Sequence, residues 1–201
     1  MNEQLHNFKC YGIIDRDYRD DYEIDAYKED NIFTLEVAEV ENLFLTEELF
    51  KVINNSILEF NDNSRIERIK KYIIEERFAK EINKQICEAI VSELKFKLNT
   101  ASISKVNEEK AKETLDKAFK EISYDNIKTK QTEKFNKILD SHVYKDILKV
   151  FNCKSLSMSI GHFWGINNKE YQNFILRKIR GEKANDIINA IIPYLPKDIP
   201  I

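Results

Sequence analysis

Proline and glycine are scarce in this 201-residue chain, with three and four copies respectively. Folds made of many short strands need those residues at their turns, so long helices are expected instead. Cysteine is equally thin: Cys10, Cys87 and Cys153 are widely scattered and odd in number. They form neither a disulfide framework nor a zinc pattern, which suits a reducing cytoplasm. His6 and His142 stand alone and add no metal set to them. No apolar run approaches the roughly 18 residues of a membrane-spanning helix. The amino terminus also lacks the basic-then-apolar layout of a secretory signal. There is no Gly-Lys-Ser/Thr phosphate loop and no Gly-x-Ser-x-Gly elbow. ATP binding and serine hydrolysis by those routes are therefore not expected.

What is present is ordinary for a folded protein. Hydrophobic residues make up 42% of the chain and charged ones 33%, which argues against wholesale disorder. The length suits one domain, or one and a half, with a sizeable core. Net charge is −3, but it is unevenly spread. Residues 1–63 carry 16 acidic and 5 basic side chains; the remainder carries 19 acidic and 27 basic. An acidic head suits cations and a basic body suits a polyanion. Lys-rich helices that are simply solvated would give the same count.

Read in order, Phe8 to Ile14 is a nearly continuous apolar run and predicts a strand covered on both faces. Arg16 to Asp30 reads as an acidic surface loop, and Ile32 to Val37 as a second short strand. Thr46 is a natural N-cap for a helix reaching about Phe60. Ser64, with Glu67 three residues on, predicts a capping box. From there Ile66, Ile69, Ile73, Ile74, Phe78, Ile82, Ile86, Ile90, Leu94 and Leu98 recur at helical spacing. Further helices are expected over 108–123, 126–150, 168–180 and 182–194, with the last pair parted by Gly181. Ser155 to Ile160 alternates apolar residues with serine and suits a short strand or a loop. The fold class expected is α+β, mostly α: an α/β segment over 1–60, a helical insertion or bundle over 61–150, and a returning segment over 151–201.

The chemistry centres on Asp15-Arg16-Asp17. In a strand, positions i and i+2 share a face, so both carboxylates would sit together at the carboxyl end of the strand. That edge is where open α/β sheets usually hold ligands. Glu39 and Glu41 repeat the spacing after the second strand. Four carboxylates so placed predict a site for Mg2+ or Mn2+, since hard oxygen ligands suit those ions. An acidic turn and helix-terminal acids are the plainer alternatives.

An apolar strand ending in Asp-Arg-Asp, followed by Glu41-Asn42-Leu43-Phe44-Leu45, resembles the Toprim-like nucleases related to the OLD (overcoming lysogenization defect) family. It is most similar to the uncharacterised Toprim-like family associated with AAA/ABC-type ATPases in bacterial defence. The resemblance covers roughly residues 8–50. It implies a magnesium-dependent nuclease for DNA or RNA, with Asp15, Asp17 and Glu41 at the metal and Glu41 among the catalytic groups. It also implies a lysine after the helical insertion, for which Lys154 is suitably placed though without the expected preceding glycine. An ATPase upstream or on a partner chain, working in phage defence, is implied likewise. Such a domain begins with a glutamate-bearing strand well before Asp-x-Asp, and Glu3 has no such context. The chain is thus expected to be the distal part of a longer protein, one that need not cleave by itself. His162 within Gly-His-Phe-Trp-Gly, Trp164 for base stacking, and Asp20 and Asp21 are weaker candidates. Asn42 is expected to orient Glu41 or to cap its own turn. The alternative from another class is a non-catalytic helical module that binds a protein partner or forms a homodimer.

Overall fold

The computed structural model describes residues 10–197 and Ile199. Strand β1 (Gly12–Ile14) and strand β2 (Ile32–Thr34) pair in parallel, with Gly12 opposite Ile32 and Ile14 opposite Thr34. Parallel neighbours need a crossover, and helix α1 (Asp21–Glu29) supplies it. The loop expected over 16–30 is therefore mostly helix. Its start is a full capping box: the Glu23 N–H donates to Asp20 Oδ1 at 3.0 Å, and Asp20 N–H donates to Glu23 Oε2 at 3.4 Å. Both strands are shorter than expected, and Phe8 and Lys9 lie outside the described residues. β2 stops at Thr34 because the chain then changes partners. The Glu36 N–H donates to Tyr194 O, and the Ala38 N–H to Leu148 O, both at 2.9 Å.

Helix α2 (Glu47–Val52) runs into a wide π turn, Ile53–Ile57. Thr46 precedes it but does not cap it; its hydroxyl donates back to Leu43 O at 3.4 Å. Helix α3 (Asn63–Lys71), a π segment (Tyr72–Phe78) and helix α4 (Ala79–Thr100) then continue as one rod. Its N-cap is Asp62, which accepts from Ser64 N–H at 3.0 Å, and not Ser64 itself. The π segment inserts one residue per turn, with Ala79 N–H reaching back to Ile74 O. Ile73, Ile74 and Phe78 are all buried there.

Helix α5 (Glu108–Glu121) and helix α6 (Tyr124–Ser141) follow. The helix expected over 126–150 is broken: His142 adopts a left-handed conformation, φ 53°, and α7 (Tyr144–Val150) starts afresh. α6 packs along α4. Phe135 of α6 lies 6.2 Å from the Phe78 ring, which meets Phe151 at 5.3 Å. Residues 155–160 form 3-10 turns and no strand. At Gly161 a Cβ would come within 2.8 Å of the Asn168 backbone, so the tight Gly161–Trp164 turn requires glycine. Helix α8 (Tyr171–Lys178) and helix α9 (Ala184–Ile191) complete the chain, α9 against α2. α9 ends at Ile191, and Pro193 sits in the 3-10 turn Ile192–Tyr194 that follows it.

The described fold is mostly helical around a two-stranded parallel sheet. One continuous core takes side chains from each of the three expected stretches, from Leu35 and Phe50 through Phe78 and Phe135 to Trp164 and Tyr194. No described helix is long and apolar enough to cross a membrane.

Candidate metal centre

The carboxylates meet just beyond the carboxyl end of the sheet. β1 has ended at Ile14, so Asp15 and Asp17 do not share a strand face as the spacing suggested. Asp17 has instead turned left-handed, φ 50°, and its N–H donates to Ala38 O at 2.8 Å. This bond ties the Asp turn directly to the residue before Glu39. Asp15 Oδ1 then accepts the Val40 N–H at 2.8 Å, the first N–H of the 3-10 turn Val40–Leu45. Such a terminal N–H has no partner within its own turn, which is why a carboxylate docks there.

Glu39 is 1% exposed and its carboxyl faces that of Asp15. Burial, then the Asp15 contact and charge, push the Glu39 carboxyl up to about 7. Asp17 adds to the rise, while Lys154, 3.8 Å from Glu39 Oε2, opposes it. Glu39 Oε2 is buried and accepts no hydrogen bond. Asp17 is held on both sides: Oδ2 accepts from Arg19 Nη1 at 2.6 Å, and Oδ1 from Asn152 Nδ2 at 3.0 Å.

Three tethers, from Gln85, Tyr18 and Asn42, bring these groups together, and only Asn42 was singled out from the sequence. Gln85 of α4, fully buried, donates to Asn152 O at 3.1 Å and accepts from Asn152 N–H at 2.9 Å. This fixes Asn152 against Asp17 and places Lys154 two residues on. Tyr18 donates to Gln85 Oε1 and, at 2.6 Å, to Glu88 Oε2. Asn42 neither orients Glu41 nor caps its own turn. Its Nδ2 donates to Leu148 O and Phe151 O, closing the carboxyl end of α7 at 3.0 and 2.9 Å.

Of the residues expected at the site, Asp15 and Glu39 meet, with Asp17 and Lys154 nearby. Glu41 lies in the turn that follows, with a buried Oε2 that accepts no hydrogen bond. Asp20 caps α1 and Asp21 pairs with Arg16. His162 is engaged by Asn168 and stacks on Phe163 at 4.2 Å, and Trp164 is buried against Phe50. Among the described residues, no three His, Cys, Asp or Glu side chains converge as a ready-made cation cage. The donor set is nonetheless all oxygen, with one buried lone-pair site free on Glu39 and two carboxyls in contact. A divalent cation would relieve that repulsion and fits the residues present. In comparisons with known proteins, no family model, no curated sequence and no solved structure matches this chain.

Proposed function

We propose that this chain carries the metal site of a Toprim-like, Mg2+-dependent nuclease that hydrolyses nucleic-acid phosphodiesters. The observation carrying the reading is the Asp15–Glu39 carboxyl pair, whose buried Glu39 Oε2 has no hydrogen-bond partner. Asp15, Asp17 and Glu39 would hold the ion, with Glu41 in the adjoining turn. When bound, the ion supplies electrostatic stabilisation of the phosphoryl oxygens. Glu39, whose carboxyl is pushed up by burial and by Asp15 in the metal-free site, would release its proton to solvent as it takes up the cation. Lys154, exposed beside Glu39, can move onto the phosphate and offset its growing negative charge. Arg19 and Asn152 keep Asp17 oriented for the cation.

Calorimetric titration with magnesium at pH 8 tests the site: the chain binds, and Asp15→Asn/Asp17→Asn does not. Cleavage of labelled DNA and RNA with Mg2+ or Mn2+ should vanish in the same variant. Absence of any binding heat with either ion sinks the reading. A second reading, a helical module for a protein partner or homodimer, is favoured by α5, whose Leu115 and Phe119 are exposed. Concentration-dependent sedimentation, lost in Phe119→Ser, would support it.

A further inference from the structure

Next to the carboxylates lies a cavity of about 360 Å³, walled by Arg16, Asp17, Lys130, Lys134, Asp146 and Lys149. The turn before α1, the middle of α6 and the end of α7 converge on it. Its charges do not cancel. Arg19 answers Asp17, Arg16 answers Asp21, and Lys130 bridges Asp20 and Glu93 at 3.1 Å each. Among the described residues, Lys134 and Lys149 have no carboxylate partner, and Asp146 alone of the lining acids has no cation.

Arg16 is the most telling wall. Its side chain is 8% exposed, yet its hydrogen-bonding partner Asp21 is 90% exposed. An ion pair with so solvated a member holds weakly and exchanges readily. Among the described residues, one of its five guanidinium donors is thus engaged, by a group that can leave. Burial, then the neighbouring positive charges of Arg16 and Lys130, draw the Lys134 ammonium below the usual lysine range, against the opposing pull of Asp20 and Asp21. Positive charge is therefore crowded here, and an anion would relieve it. A volume of this size admits a phosphate with part of its flanking sugar.

We propose that this cavity is a phosphate seat that takes one backbone phosphate of a nucleic-acid strand beside Asp17. It rests on the hydrolytic reading for its substrate, but binding is separable from cleavage. A labelled oligothymidylate, titrated in EDTA by fluorescence anisotropy, is the probe. Lys134→Gln/Lys149→Gln should bind at least about tenfold more weakly, with a salt slope shallower by about 0.7, the share of one phosphate. Lys112→Gln/Lys120→Gln on α5, a control of equal charge change, should stay within about twofold of the parent chain. Lys134→Arg/Lys149→Arg should retain binding, which separates lost charge from lost folding. Asp15→Asn/Glu39→Gln should bind the strand normally while failing to cleave it. Loss of cleavage alone therefore indicts the metal site and leaves the seat standing. The seat is overturned if the cavity pair binds like the parent chain, or if the control pair loses as much. It is overturned too if inorganic phosphate shifts the melting temperature through these lysines while the strand ignores them.

Discussion

Helices α5 and α6 are written in similar language and meet opposite ends. Both are lysine-rich, both are amphipathic, and each carries one phenylalanine on its apolar stripe. On α6, Phe135 is fully buried, within ring contact of Phe78 and Tyr18. On α5, Phe119 is 61% exposed and no described side chain is buried. The difference lies in polar ties. Glu93 on α4, itself buried, accepts from Gln131 at 2.7 Å and Lys130 at 3.1 Å, both on α6, and from Lys97 at 3.3 Å. A buried carboxylate is stable only with such donors, so it selects the helix that brings them. On α5, Thr114 Oγ1 accepts the Ser104 N–H at 3.0 Å, a tie to the adjoining loop. Periodicity thus decides that a segment is helical and which face is apolar; a long-range polar tie decides whether that face finds a neighbour.

The largest effect expected from this contrast is on the paired phenylalanines. Phe135→Ala should cost about 3–5 kcal/mol in urea unfolding, because it opens a cavity against Phe78. Phe119→Ala should cost less than about 0.5 kcal/mol, as an exposed side chain does. A large loss at Phe119 would mean that α5 is covered after all. A smaller effect is expected from the tie itself. Glu93→Ala leaves Gln131 and Lys97 without this acceptor and Lys130 with Asp20 alone, and should cost about 2–3 kcal/mol. Glu113→Ala, on exposed α5, should be close to neutral.

The same logic explains what was legible in the chain beforehand. The rod from Asn63 to Thr100 announced itself through apolar spacing, but its π segment at Tyr72–Phe78 did not, since one extra residue per turn leaves that pattern almost unchanged. Helix α1 was missed because it buries little; its Asp20/Glu23 capping box was nonetheless readable. The break at His142 depends on one left-handed residue that carries no glycine to mark it. At the site, Asp15 and Glu39 do meet, with Asp17 and Lys154 nearby, though not by strand alternation. They are gathered by Gln85 to Asn152 and Asn152 to Asp17, ties spanning 67 and 135 residues. Nothing local in either residue signals such a bond. The cavity lysines were hidden for the same reason, as Lys134 and Lys149 reach Arg16 from different helices.

Acid should make α6 resemble α5, and this is the finest test of the contrast. Burial alone would raise the Glu93 carboxyl, but hydrogen bonds from Gln131 and Lys130 and the Lys130 charge hold it below its ordinary 4.5. The folded chain therefore binds this proton more weakly than the unfolded chain. Its stabilisation is complete above about 4.5 and is lost as pH falls through the lower, folded value. Melting curves of the parent and Glu93→Gln should differ at pH 7 and draw together as pH falls below 4.5 and through the lower, folded value. Glu113→Gln should show no gap at either end. Glu39 runs the other way: its folded value is raised to about 7, so its contribution is complete below 4.5 and is lost as pH rises through 7. Glu39→Gln should then melt like the parent at pH 4 and above it at pH 8, by on the order of 1 kcal/mol without divalent ions. One buried carboxyl surrounded by donors and another facing a second carboxyl must show opposite slopes. A gap for Glu93→Gln that stays constant with pH would mean that packing, and not the charged tie, fastens α6 to α4.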